Sequence, residues 1–334
     1  SIVLRIGIPR ALLFYYYYPL WKVFFEALDI EVITSQKTTK ELVDQGVRIS
    51  VPDICVPIKI FNGHLLGLLE QDVDYLFVPR MMNIRKGEFF CPKFMGLPDM
   101  VRYGIPGVES KLLFPKIESN KDDISYYKNY LEMCEPLGVT ERKMKVALKK
   151  GQKAWREFYT FCKKGYTASE AIEYIEQGKL PEKREEDALL SIGLMGYVYD
   201  IYDEFVSMGI VDRLKEMGIR VETFEMIDDN ILDNQLKGMH KRLFWTFSNK
   251  LMGAGYKFFK DSSIDGIIHV TAFGCGPDSL IGKIMELESI DYKKPFMTIR
   301  VDEHTGENHL QTRVEAFVDM IYRKKFKSRK RGII

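Results

Sequence analysis

The chain runs through strand, helix, strand and helix, and then does so again. That repeated alternation limits its fold more than any motif does. The run Val3–Pro9, "VLRIGIP", reads as a buried parallel strand, because it is apolar on both faces. "LFYYYYPLWKVFFEALD" follows as a helix and "IEVITS" as the next strand. Asp53-Ile54-Cys55-Val56-Pro57 then makes a loop before a second helix, over about residues 58–69. Val73–Pro79 and Lys111–Ile117 read as the third and fourth strands.

From Lys121 to Lys179 no strand run occurs, and apolar residues recur at helical spacing, as in Met144, Ala147 and Leu148. Two or three helices are expected there, joined near Pro136-Leu137-Gly138 and Gly165-Tyr166-Thr167, and a polar linker, Leu180–Ala188, follows. The alternation then returns. "LLSIGLMG", "RVETFEM", "GIIHVTAF" and "KPFMTIRV" read as strands, and "YDEFVSMGIVDRLKEMG", "LFWTFSNKLMGAGYKFFK", "DSLIGKIMELES" and "TRVEAFVDMIYRKKF" as helices. The expected architecture is α/β. Two Rossmann-like or flavodoxin-like domains, residues 1–120 and 183–334, carry parallel sheets with right-handed crossovers, and a helical insertion, 121–182, lies between them. Ligands are then expected at the carboxyl ends of the strands, in a cleft between the two halves.

Apolar residues make up 46% of the 334, enough for two such cores. At a net charge of +2 no whole-protein field argues for nucleic acid, and none is expected as a partner. Arg323–Arg331 holds seven basic residues and no acid, and taking them away leaves −5. That run reads as a solvated terminus. The longest apolar stretch, Ala11–Leu20, is too short to cross a bilayer and contains Tyr15 to Tyr18. With no basic leader or cleavage site at the start, the expected setting is cytoplasmic and away from membranes. Five scattered cysteines in a chain of this size read as metal ligands, reactive thiols or core residues, and not as disulfides.

Cys55, Cys91 and Cys275 share a setting. Each follows an apolar run near a helix start, with proline next or next but one. Proline stiffens the turn, and a helix N-terminus favours thiolate, the form that binds metal. Three such loops at one end of parallel sheets make a three-thiolate metal site one reading; small buried hydrophobes are the other. Cys134, before Glu135-Pro136, marks a helix end, and Cys162 reads as core. No C-x-x-C pair is present, nor a G-x-G-x-x-G or Walker A stretch. Gly274-Cys275-Gly276 resembles a nucleophile elbow, with His304 or His309 as base. However, the G-x-C-x-G spacing is missing, and Pro277 removes an N–H that an oxyanion hole needs.

"RVDEHTGENHLQTR" after the last strand offers Glu303 for substrate binding and His304 as general acid, proton donor or ligand; a solvated loop capped by Thr305 or Asn308 is the plain alternative. Arg10, just past the first strand, is placed to grip an anionic substrate group. His64 and His269 read as packed or hydrogen-bonded core residues.

Taken in order, "IGIPRALLFYYYYPLWKVFFEALDIEVITS", "DICVPIKIFNGHLLGLL", "VDYLFVPR", "CPKF", "FGCGPDS" and "DEHTGENHLQTRVEAF" resemble the 2-hydroxyacyl-CoA dehydratase superfamily, and within it the stand-alone, acyl-CoA dehydratase activase-related (CoA-enzyme activase-like) branch. The resemblance implies a [4Fe–4S] cluster held by Cys55, Cys91 and Cys275, with Gly276 letting it approach the backbone and one iron left open. It also implies electrons from an ATP-hydrolysing activase, or reductase, of the actin/sugar-kinase fold. The chain itself would then be an iron–sulfur reductase or dehydratase-like enzyme acting on a small substrate, or an electron-transfer or scaffold partner without one. A homodimer is a further expectation. A double-cubane cluster is disfavoured, since only Cys134 and Cys162 remain to supply ligands.

Overall fold

A computed structural model describes residues 2–179, 187–304 and 307–331. The chain divides into two compact units. The first is Ser1–Leu180 with Leu243–Phe247, and the second is Pro181–Arg242 with Ser248–Ile334. Leu180 to Glu186, most of the expected linker, lies outside the described residues.

In the first unit, β1 (Arg5–Ile8), β2 (Glu31–Thr34), β3 (Tyr75–Phe77) and β5 (Leu112–Leu113) form one parallel sheet in the order β2-β1-β3-β5. The expected fourth strand is cut in two. Pro115 separates β5 from β6 (Lys116–Glu118), and Pro79 likewise separates β3 from β4 (Arg80–Asn83). Beyond the two prolines, β4 and β6 continue side by side as a small parallel sheet of their own. Proline donates no ladder hydrogen bond, so both strands break at this level.

Helix α1 (Phe14–Glu26) is almost wholly buried, because α/β packing covers one side and the helical segment covers the other. That segment, α5 (Glu141–Lys163) with α6 (Ala168–Gln177), belongs to the first unit and is not a separate body. Trp155 Nε1 donates to Tyr16 O at 2.8 Å, and Gly151 lets α5 approach the Leu20 carbonyl. Gly138 and Gly165 turn in the left-handed region at the two expected joints. Between β2 and β3 lie α2 (Lys40–Ile49), capped by the Thr39 hydroxyl, and α3 (Val56–Leu69). The short helix α4 (Pro92–Met95) follows β4.

The second unit holds β7 (Leu190–Met195), β8 (Ile219–Glu222), β9 (Gly266–Ala272) and β10 (Phe296–Val301), all parallel, in the order β10-β9-β7-β8. Counted within each unit, both sheets run 2-1-3-4, the flavodoxin-like order. The helix expected after β7 is three short ones, Val198–Ile201, Glu204–Ser207 and Ile210–Glu216. Asp203 caps the second, and Met208 and Gly209 both turn left-handed ahead of the third. Helix α7 (Gly276–Tyr292) connects β9 to β10, and α8 (Glu307–Arg331) ends the described chain. Among the described residues, no helix is long and apolar enough to cross a membrane.

Candidate functional site

Cys55, Cys91 and Cys275 occupy the same position on three helices: each is the residue just before the first turn. Their backbones are extended, with ψ of 149°, 143° and 104°, ahead of α3, α4 and α7. Pro57, Pro92 and Pro277 fall in the first turns, where a missing N–H costs no helical hydrogen bond. All three cysteines are half-buried. Cys134 differs, since its own backbone is helical (φ −59°, ψ −47°). Cys162 is fully buried on α5, a core residue as expected.

Cys91 shows what the setting does to a thiol. Burial pushes its pKa up; against this, the backbone N–H of Lys93, the Lys93 charge and the N–H of Phe94 favour the thiolate. The net shift is upward, so burial outweighs the helix-terminal donors aimed at this sulfur. For Cys134, burial and then Glu141 push the thiol up.

Cys275 ends the loop that leaves β9. Its N–H reaches Ala272 O, and its carbonyl accepts from the Ser279 hydroxyl at 2.8 Å. The two flanking glycines do different work. Gly274 has φ +85°, which a side chain adopts only with strain. Gly276 is helical and borders open space, with nothing within 4 Å of where a Cβ would stand.

Behind this loop is a buried polar cluster that the sequence reading did not assemble. Asp278, fully buried, accepts from His269 Nε2 at 2.9 Å. Tyr197 shares a hydrogen bond of 2.7 Å with Ser248, and burial, followed by the charges of Asp278 and Cys275, raises its hydroxyl pKa. Asp200 is fully buried, and neither carboxylate oxygen has a hydrogen-bond partner among the described residues. Burial, then Asp278 and Asp203, hold its pKa well above the usual carboxylate range. The available signal was Asp278 in the first turn of a helix, ten residues or fewer from a histidine on the preceding strand.

Arg10 is engaged by the first unit itself. Its Nη2 lies 3.5 Å from Glu176 Oε1, its Nε donates to Ser35 O at 3.2 Å, and its guanidinium covers the Phe14 ring. The Ser35 hydroxyl meets His64 Nδ1 at 2.6 Å, and Thr38 meets Nε2 at 2.8 Å. Burial, followed by the Arg10 charge, lowers the His64 pKa to about 3, so His64 is a neutral core histidine. His304 stands exposed in the turn after β10, where its N–H donates to Asp302 at 2.7 Å; Glu303 beside it is half-buried. Thr305 lies outside the described residues, and Asn308 falls inside α8 rather than at its cap.

Cys55 and Cys91 belong to the first unit and Cys275 to the second. Among the described residues, neither unit gathers three His, Cys, Asp or Glu side chains as a metal ion would need. No curated protein matches the chain. A family model described as the CoA enzyme activase uncharacterised domain matches residues 5–227, a span that includes Cys55 and Cys91 and stops short of Cys275. That span is well over half the chain, which therefore belongs to the CoA enzyme activase uncharacterised domain family.

Proposed function

We propose that Cys55, Cys91 and Cys275 hold a [4Fe–4S] cluster, and that the chain takes low-potential electrons from an ATP-hydrolysing activase of the actin/sugar-kinase fold. The shared helix-start position of the three thiols, each followed by a first-turn proline, carries this reading. When bound, such a cluster supplies one-electron chemistry, and three protein ligands leave one iron able to bind a small substrate as a Lewis acid. The chain's own part is to hold three thiolates on stiff turns. At Cys91 the N–H groups of Lys93 and Phe94 support the anion. Gly276 leaves open space beside Cys275 for a bulky group. In this reading His304 and Glu303, exposed and half-buried after β10, serve proton and substrate handling.

The test is anaerobic purification with iron and sulfide counting and EPR. About four irons per chain are expected, with substantial loss in Cys55→Ser, Cys91→Ser and Cys275→Ser. Iron-free protein, or a Cys275→Ser variant with unchanged iron, ends the proposal. A second reading, an electron relay or scaffold with no substrate of its own, is favoured by Arg10, whose charge is already taken by Glu176. Spectral silence toward added small ligands would select it.

A further inference from the structure

The sheet of the second unit has two unlike faces. On one, Ile268, Val270, Ala272, Ile299 and Val301 are apolar and buried, and Gly266 on that face meets α8 through Phe317 and Ile321. The opposite face of β9 and β10 lies under α7 and carries His269 beside Thr298 and Thr271 beside Arg300, two successive parallel pairs. Strands buried in a parallel sheet are ordinarily apolar on both faces, because helices cover both. Here four polar residues stand together on one face, and they help line a cavity of about 400 Å³.

Three buried polar atoms on that cavity's lining residues have no hydrogen-bond partner among the described residues: His269 Nδ1, Thr271 Oγ1 and Asp278 Oδ2. His269 and Asp278 are fully buried and Thr271 is 2% exposed. The other Asp278 oxygen takes His269 Nε2 at 2.9 Å. In the tautomer whose Nε2–H donates to this carboxylate, Nδ1 carries the lone pair. Gly282 of α7 makes the room: a Cβ on it would stand 3.0–3.1 Å from the imidazole. Unmet buried polar atoms are costly, and these three lie just beneath the cavity's lining, closed to solvent, so a polar guest that reaches them through a small shift of the floor relieves that cost. The floor, with two acceptors and a hydroxyl, suits a hydroxyl-bearing group. The wall carries Arg300 and Arg313, whose Nη2 is anchored on Thr298 O at 2.9 Å, together with Lys283, which pairs with Glu286 at 3.3 Å, so its charge stays net cationic. Two guanidinium forks offer more donors than a carboxylate's two oxygens use, and they match the three terminal oxygens of a phosphate ester. A volume of this size falls at the low end for small-molecule sites.

We propose that this cavity binds a small hydroxylated phosphate monoester, with its hydroxyl on the His269–Asp278–Thr271 floor and its phosphate on Arg300 and Arg313. The site requires none of the three cysteines as a ligand, so it stands or falls separately from the cluster. Calorimetric titration of the full chain with glycerol 3-phosphate tests it, with inorganic phosphate, glycerate and glycerol as comparison probes. Glycerol 3-phosphate is expected to bind best. Arg300→Gln, an exposed position, and Thr271→Val, which keeps the side-chain shape, should each weaken it roughly tenfold. Gly282→Ala should weaken it as well, by crowding His269. Four results each overturn the proposal: no binding of glycerol 3-phosphate, inorganic phosphate binding equally well, glycerate binding more tightly, or full affinity retained in both Arg300→Gln and Thr271→Val.

Discussion

His64 shows how a residue's surroundings decide its chemistry. It is enclosed by Ser35 and Thr38, with Arg10 beside it, and its folded pKa is about 3 against an ordinary 6.5. The unfolded chain therefore binds a proton below about pH 6.5 that the folded chain refuses until about pH 3. Stability contributed by the neutral ring is complete above that window and falls as pH drops through it. In guanidinium melts, the native chain should lose roughly 3–5 kcal/mol more than His64→Gln between pH 6.5 and 3. At pH 7 the variant should be less stable, by roughly 1–3 kcal/mol, having lost the fit to Ser35 and Thr38. Parallel curves for the two proteins would refute this account. Asp200 has the opposite sign. Its folded pKa is raised, so stability falls as pH rises past the ordinary carboxylate range, and Asp200→Asn should stabilise at neutral pH by roughly 2 kcal/mol, a gain that shrinks toward pH 4. Denaturant midpoints at the two pH values check this.

At the scale of elements, the strands of both sheets were legible because strands buried on both faces read as continuous apolar runs. The three cysteine turns were legible because proline and a helix start leave marks within a few residues. Helix α2 is not among the expected elements, although Thr39 and the amphipathic run after it carry its signal. The break at Pro115, the further strand beyond Pro79 and the turn at Met208-Gly209 are not legible in the sequence, because a local apolar pattern outweighs single-residue punctuation. The His269–Asp278 pair could not be read, since it depends on α7 folding back over β9. The α2–α3 crossing follows the same rule. Gly46 faces the Lys59 carbonyl and Gly63 the Leu42 carbonyl, each too close for any Cβ, so the helices touch backbone to backbone. Gly63→Ala must push α2 and α3 apart, and should cost roughly 2–4 kcal/mol in chemical denaturation. A change within about 0.5 kcal/mol would show that the crossing gives way freely.

The chain passes between the two units more than once. It leaves the first unit near Leu180, returns for Leu243–Phe247, and leaves again. That return serves the first unit directly: Phe89 N donates to Phe244 O at 2.9 Å, Thr246 N donates to Phe89 O at 3.0 Å, and the Phe89 and Phe244 rings stack at 4.7 Å. The Tyr16 and Phe90 rings pack against Phe247. Within the first unit, then, an edge of the structure is completed by residues far along the chain, whose supply depends on the intervening segment. A fragment ending at residue 180 keeps the whole β2-β1-β3-β5 sheet but loses these bonds and rings. Two backbone hydrogen bonds and partial burial of two aromatic rings amount to roughly 2–4 kcal/mol. Such a fragment should therefore unfold at a clearly lower denaturant midpoint than the first transition of the full chain. Far-ultraviolet circular dichroism and tryptophan emission should follow that loss together, since Trp21 and Trp155 both lie in the fragment. An unchanged midpoint would mean that the first unit is complete without the returning strand of chain.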